Sequence, residues 1–300
     1  MNREGMSRYY EINIDNWQHI HILAESLNSF AFRGQADASW DLTTSLERCF
    51  KKYDPVIPIY ENKEHWVLHE FREKFHLYSN HPPEISNHFE WLALLQHHGC
   101  PTRLLDFSDS LYIASYFAIS ESISDAAIWA INLYSLRGQL HEKLSLPYEK
   151  DSSLKDETNK HHVNLINKYI AKDSDLEKPY FVVPLRSSKR SIRLSCQKGL
   201  FIAPINMGGI KGGQHFMKNL ALSFGSEDEV KFSPLEFSEY MNKLKVERPV
   251  NSIDVLKIRL SEDMHRYAIQ SLGQMNISEE SLFHGLDGLA RSLIHTEIRY

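Results

Sequence analysis

The chain has 300 residues, a net charge of −5 and 42% hydrophobic content, enough for one large core or two. The negative balance argues against a generally basic nucleic-acid surface and leaves room only for a local basic groove. Three scattered cysteines, Cys49, Cys100 and Cys196, fit neither a disulfide framework nor a CxxC metal knuckle.

Met1-Asn2-Arg3-Glu4-Gly5 carries no apolar signal core, and no run approaches the ~18 apolar residues of a membrane span. The expectation is a globular, cytoplasmic protein without a membrane partner.

Taken in chain order, residues 16–27 predict a helix, with Asp15 as N-cap and Trp17, Ile20, Leu23 and Ala24 spaced for one face. Phe30-Ala31-Phe32-Arg33-Gly34-Gln35 follows as a buried strand. Glycine in such a strand marks close approach by a ligand or another segment. Arg33 is a natural bidentate partner for phosphate or carboxylate, and pairing with Asp106 is the structural alternative.

Residues 39–50 read as a turn and a short helix, which Pro55 and Pro58 then break. In 63–79, Val67, Phe71, Phe75 and Tyr78 fall at helical spacing and predict an amphipathic helix. His65 and His69 on that helix share metal-ligand spacing, but no HExxH pattern accompanies them. They are expected to be solvated, and no metal site is predicted.

The most informative stretch runs from Glu90 to Ser108. An apolar helix ends in His97-His98, and Gly99 with Pro101 form a stop signal. Thr102, Arg103, Asp106 and Ser108 follow before a second apolar run from Leu111 to Ala118. Polar groups squeezed between buried segments must be hydrogen-bonded, since leaving each bare costs on the order of 1–3 kcal/mol. Such a stretch is either a polar joint or a site. Convergence of Arg33, His98, Thr102, Arg103, Asp106 and Gln197 on one pocket is expected, and replacing Asp106 would damage folding if it is the buried partner of Arg33 or Arg103.

Residues 126–133 predict a buried strand, and 135–178 a polar insertion with one surface helix around 162–171, suited to a cap or partner surface. Strands are expected at 180–185, 191–196, 200–205 and 252–260. Gly208-Gly209 and Gly212-Gly213 predict a flexible loop rather than a phosphate loop. A helix over 262–275 would turn Ala268, Leu272 and Met275 inward. The fold class is α+β, a mostly antiparallel sheet with packed helices, forming a single domain over 1–300.

Several of these stretches carry a family resemblance. Phe32-Arg33-Gly34-Gln35, Trp40-Asp41-Leu42 and Thr44-Ser45-Leu46 resemble the opening of the FRG domain family, named for its Phe-Arg-Gly. Leu95-Gln96-His97-His98-Gly99, Pro101 to Asp106 and Ala114 to Ala118 resemble its central signature. Arg193 to Phe201 and Ser281 to Ala290 resemble its later elements, so the likeness spans roughly residues 25–292. Some members resemble components of mobile elements and phage defence, which implies an effector or toxin with a neutralising antitoxin as partner.

A looser resemblance is to ADP-ribosyltransferases of the Arg-Ser-Glu type. These have an aromatic-Arg-Gly strand, a Ser strand followed by a helix, and a late strand with a catalytic Glu. Arg33-Gly34, Ser108 with Ala114 to Phe117, and Gln197 to Phe201 fall in that order. The resemblance implies NAD as cofactor and a nucleic acid or protein as acceptor. Arg33 would hold the diphosphate and the Gly34 backbone the nicotinamide amide, with Gln35, Thr102 and Arg103 also on the cofactor side. Ser108, Gln197, His98 and Asp106 would be catalytic. Gln197 stands where that pattern has Glu; it can hydrogen-bond but brings no charge, and Asp106 is an alternative carboxylate.

Two other readings stay open. His97 or His98 with Asp106 could serve a metal-free nuclease or hydrolase as an acid–base pair. An Arg33 pocket could equally belong to a non-catalytic sensor of a phosphorylated ligand.

Overall fold

The computed structural model describes residues 9–53, 60–146, 155–170, 178–188, 191–208, 214–226, 231–246 and 253–293. Tyr9–Ile14 forms β1, a strand not expected from the sequence, with Tyr10, Ile12 and Ile14 buried in strand alternation. Helix α1 (Gln18–Ser26) follows, burying Ile20 and Leu23. Asp15 does not cap it: Asn16 accepts the Gln18 N–H at 3.0 Å instead. Strand β2 (Phe30–Gln35) lies where expected.

Helices α2 (Ser45–Tyr53), α3 (Tyr60–Phe75) and α4 (His88–His97) lead to β3 (Leu105–Ser108) and α5 (Leu111–Ile119). The α3 face is the expected one only in part: Phe71 and Phe75 pack against the core beside Trp91. Val67 is exposed and Tyr78, beyond the helix, is 86% exposed, while Leu68 and the carboxylate residue Glu64 are buried. Strand β4 (Ala126–Asn132) is buried at all seven positions, as a strand covered on both faces must be.

The polar run after it carries two helices, α6 (Leu133–Leu144) and α7 (Lys155–Ile170). Instead of lying on the surface, α7 buries His162, Ile166 and Ile170. Residues 147–154 and 171–177, where much of the charge of this run falls, lie outside the described residues, as do Pro55, Pro58, Gly209, Gly212 and Gly213.

Strand β5 (Val182–Leu185) comes next. Residues 192–196, expected as a strand, form the short helix α8 (Ile192–Cys196), because Ser191 accepts the Leu194 N–H and caps it. Strand β6 (Gly199–Pro204), α9 (His215–Ser223), β7 (Ser233–Pro234), α10 (Phe237–Val246) and β8 (Val255–Leu260) follow. The predicted 262–275 helix is a 3₁₀ turn over Glu262–Met264 continuing as α11 (His265–Gln274); Ala268 and Leu272 face inward, but Met275 is 40% exposed. Two short helices end the described chain, α12 (Glu279–Leu282) and α13 (Leu286–Leu293).

The eight strands form one open sheet in the order β5-β6-β3-β2-β4-β8-β1-β7. Pairing is antiparallel except that β1 runs parallel to both β8 and β7. Side-chain alternation along β4 divides the core. Trp129 and Ile131 join Phe107 and Phe201 beneath α4, α6, α7 and α9. Ile128 and Ala130 join Phe30 and Phe32 beneath α1, α5 and α11. The architecture is α+β, with helices on both faces of a mostly antiparallel sheet. Among the described residues no helix is long and apolar enough to cross a membrane.

Candidate functional site

The sheet opens between β2 and β3. Strand β2 pairs with β4 along all six of its residues, and β3 pairs with β6 along all four. Yet a single pair, Phe32 opposite Ser108, joins β2 to β3 among the described residues. Past that pair the two strands diverge, and their backbone edges and side chains border a cleft of about 1200 Å³. Arg33, Gln96, Asp106, Ser108 and Gln197 all line it. A side pocket of about 220 Å³ adjoins it and shares Arg33, Arg48, Gln96 and Asp106.

Arg33 Nη1 donates to the Asp106 backbone carbonyl at 2.8 Å, and its buried Nε has no partner. Burial lowers the Arg33 pKa; the Asp106 charge opposes that shift and the Arg48 charge adds to it. The Asp106 side chain is exposed, and both carboxylate oxygens accept from Gln96 Nε2 at 3.0 Å. Gln96 Oε1 in turn accepts from the hydroxyl of the fully buried Thr102. A relay from Thr102 through Gln96 therefore orients the carboxylate from behind. Asp106 is no buried ion-pair partner, contrary to the sequence expectation.

Ser108 Oγ donates to the Gln197 carbonyl at 2.8 Å and accepts the Ser110 N–H at 3.0 Å. It thus fastens the end of β3 to the end of α8. Gln197 Nε2 donates to the Leu282 carbonyl at 3.3 Å. Gln35 is held from two sides: its Oε1 accepts from Trp129 Nε1 at 2.8 Å, and its Nε2 donates to the Asp41 carbonyl.

Gly34 answers the question its position raised. A Cβ there would sit 2.1 Å from the Ala114 carbonyl oxygen and 2.5 Å from the Ala118 nitrogen. The close approach is by α5, so the glycine is required by helix-on-strand packing.

Three expected residues stay out of the cleft. Arg103 is buried, its Nε 2.6 Å from Glu64 Oε2, while Glu64 Oε1 accepts its backbone N–H at 2.9 Å and the Ile205 carbonyl accepts from Nη1 at 3.0 Å. All of this turns it to structural use, paired with Glu64 instead of Asp106. Thr102 acts behind the wall, through Gln96. His98 is exposed at the end of α4, its backbone N–H directed to Leu94 and Leu95. Its neighbour His97 lines the cleft, with a pKa lowered by burial first and then by the charges of His98 and Arg193.

The residues not foreseen are Gln96, Glu90, Arg48 and Trp40. Glu90 anchors the opposite wall, accepting from the Ser187 hydroxyl and from the N–H and hydroxyl of Ser188 at 2.7–2.9 Å. Its place one turn after the Asn87 cap was legible as a first-turn acid, but its loop partner lies far along the chain.

Fold and cleft together define an α+β protein with a cleft at a split in its sheet, lined by apolar groups and by side chains of both charges. Residues 28–127 match the FRG domain family model, so the chain carries an FRG domain, in agreement with the resemblance read from Phe32-Arg33-Gly34 and the 95–118 signature. The later stretches at 193–201 and 281–290 lie beyond the matched span. Searches of curated proteins and of solved structures return no match.

Proposed function

We propose that this chain is an NAD-dependent ADP-ribosyltransferase-like effector acting from the β2–β3 cleft. The observation that carries the reading is topological. The strands bearing Arg33 and Ser108 are neighbours in the sheet, Gln197 ends α8 just before the next strand β6, and all three residues border one cleft. That is the Arg, Ser, late-strand order of the resemblance turned into spatial adjacency.

The residues suit the ligand. Arg33 lines the cleft with a guanidinium whose one described bond is to the Asp106 carbonyl, which leaves donors for a diphosphate oxygen. Past Phe32, the edge of β2 that lacks pairing to β3 offers backbone groups to an amide such as nicotinamide. The volume of about 1200 Å³ exceeds the ~300–1,000 Å³ of ordinary ligand pockets, leaving space for an acceptor beside the dinucleotide.

In the reaction the bond from the ribose C1 to the nicotinamide nitrogen breaks. The nicotinamide leaves neutral with the bonding pair, and an acceptor nucleophile bonds to C1 as it loses its proton. The cation-like centre needs a fixed negative charge. Gln197 cannot supply it. Asp106, oriented by Gln96 and exposed to the cleft, fills that role, while Gln197 positions the substrate and Ser108 holds the two walls together. An effector of this kind is expected to arrest growth of a host that expresses it, and a neutralising antitoxin to relieve that arrest.

A melt with and without NAD, followed by transfer of labelled ADP-ribose to nucleic acid and to protein separately, tests the proposal. NAD is expected to raise the melting temperature by mass action, and Arg33→Ala to remove that rise with the apo melt nearly intact. Wild-type protein showing neither a shift nor label on any acceptor would end the transferase reading. For the alternative hydrolase reading, the member of the His97/His98 pair that lines the cleft with Asp106 is His97.

A further inference from the structure

One end of the cleft concentrates positive charge, with Asp106 the acid that shares the side pocket there. Arg48 and Lys51 fall three apart on α2 and both line the cleft, together with Arg33 from β2. Arg48 also borders the side pocket with Arg33. Among the described residues Arg48 has no carboxylate partner: its Nη1 donates to the Thr43 carbonyl of its own turn. The nearest acid in sequence, Glu47, is buried and turned away, accepting backbone N–H groups from Thr44 and Phe216. Arg33 spends one Nη on the Asp106 carbonyl and nothing on Nε.

Two guanidinium groups with unused donors at one opening repel each other, and the single Asp106 carboxylate beside them, already held by Gln96, offsets only one of the two charges. Trp40 adds an unexpected apolar surface. It lines the same cleft yet is 53% exposed, set in a turn where the Asp37 carboxylate accepts from both the N–H and hydroxyl of Ser39. An exposed indole beside a phosphate-sized cationic pocket is the pairing that nucleotides select, the ring for the base and the cations for the phosphates.

We propose that Arg48 and Arg33 form a two-guanidinium clamp for a diphosphate, flanked by Lys51, with Trp40 stacking the attached nucleobase. The ligand class is a nucleotide carrying at least two phosphates in sequence. This deepens the transferase reading, on whose cleft it rests, by assigning the diphosphate to a pair of residues and the base to a third.

Titration calorimetry of the full chain with ADP, adenosine and inorganic pyrophosphate tests it, with apo melts recorded for every variant. Wild-type protein is expected to bind ADP about tenfold or more tighter than adenosine, because the guanidiniums see only the former. Arg48→Ala should weaken ADP about tenfold and leave adenosine unchanged, and Arg48→Lys should recover only part, having lost the planar fork. Trp40→Leu should weaken ADP but not pyrophosphate. Should Arg48→Ala fail to fold, Arg48→Gln takes its place, and displacement of ADP by pyrophosphate from wild-type protein reads the clamp directly.

Equal affinity for adenosine and ADP, or a loss below about threefold in the Arg48 variant, overturns the clamp; any larger loss supports it. ADP binding through Arg48 without label transfer from NAD leaves the clamp standing and removes the transferase. Label transfer unaffected by Arg48→Ala does the reverse.

Discussion

Arg103 and Arg33 both finish beside β3, and the chain uses them in opposite ways. Arg103 is closed in: one carboxylate, Glu64, takes its Nε and its backbone N–H, and the Ile205 carbonyl takes a further donor. Arg33 is left open, with one bond to a backbone carbonyl and a buried Nε without a partner, in a side chain that lines the cleft. A buried charge that is fully partnered holds the fold together. One whose donors are kept free is stabilised by the surrounding packing and remains available to a ligand. The same residue type thus marks the joint in one place and the site in the other, and the partner list distinguishes them.

The sharpest way to break the contrast is to unpair Arg103. Glu64→Ala leaves a guanidinium buried without its counter-charge, and the expected loss in denaturant-melt stability is about 3–5 kcal/mol. Arg33→Ala should cost far less, because it removes one side-chain bond and relieves a desolvated charge. If Glu64→Ala cost less than about 1 kcal/mol, Arg103 would have to be reclassified with Arg33 as an underused group.

The joint side should also be the acid-sensitive side. His162 on α7 is buried against β5, with its Nδ1 2.9 Å from the Pro184 carbonyl, and burial pulls its pKa down to about 4. The unfolded imidazole titrates near 6.5, so protons bind the unfolded chain more tightly. Stability is therefore intact above about pH 6.5 and is lost as pH falls toward 4, by up to about 1.4 kcal/mol per unit. His88, also held at about 4 chiefly by burial, adds to the same window. Urea melts at pH 7 and pH 5 should converge more closely for His162→Gln than for wild type. An unchanged gap would mean that His162 is not the group responsible.

What could be read from the sequence follows this division as well. Strands β2, β4 and β6 announced themselves as apolar runs, and of the residues expected near one site Arg33, Asp106, Ser108 and Gln197 line one cleft while His98, Thr102 and Arg103 do not. The partners were not legible. Nothing near Arg103 points to Glu64, which sits among helix-forming residues of α3 and reads as an ordinary solvated acid. The link from Ser108 to Gln197 crosses four helices and two strands, and no local pattern encodes it. Ser191–Cys196 misled because a β-branched and apolar composition suits a strand, while one serine cap was enough to start a helical turn. Periodicity reports which face is buried; it does not say which polar group will meet which.

The smallest expected effect is the most discriminating. Asp106→Ala removes an exposed carboxylate whose one described hydrogen-bond donor is Gln96. The bond that Arg33 makes is to the Asp106 backbone carbonyl, which alanine keeps. Stability should therefore change by no more than about 0.5 kcal/mol, as for a surface site. Turnover should behave differently. If the carboxylate faces the developing cation, its loss should slow label transfer from NAD about a hundredfold or more, with the NAD-induced melt shift retained. A melt that drops by about 2 kcal/mol would instead place Asp106 with Arg103, among groups the fold cannot spare. In that case the open arginine beside it would owe its free Nε to a structural anion.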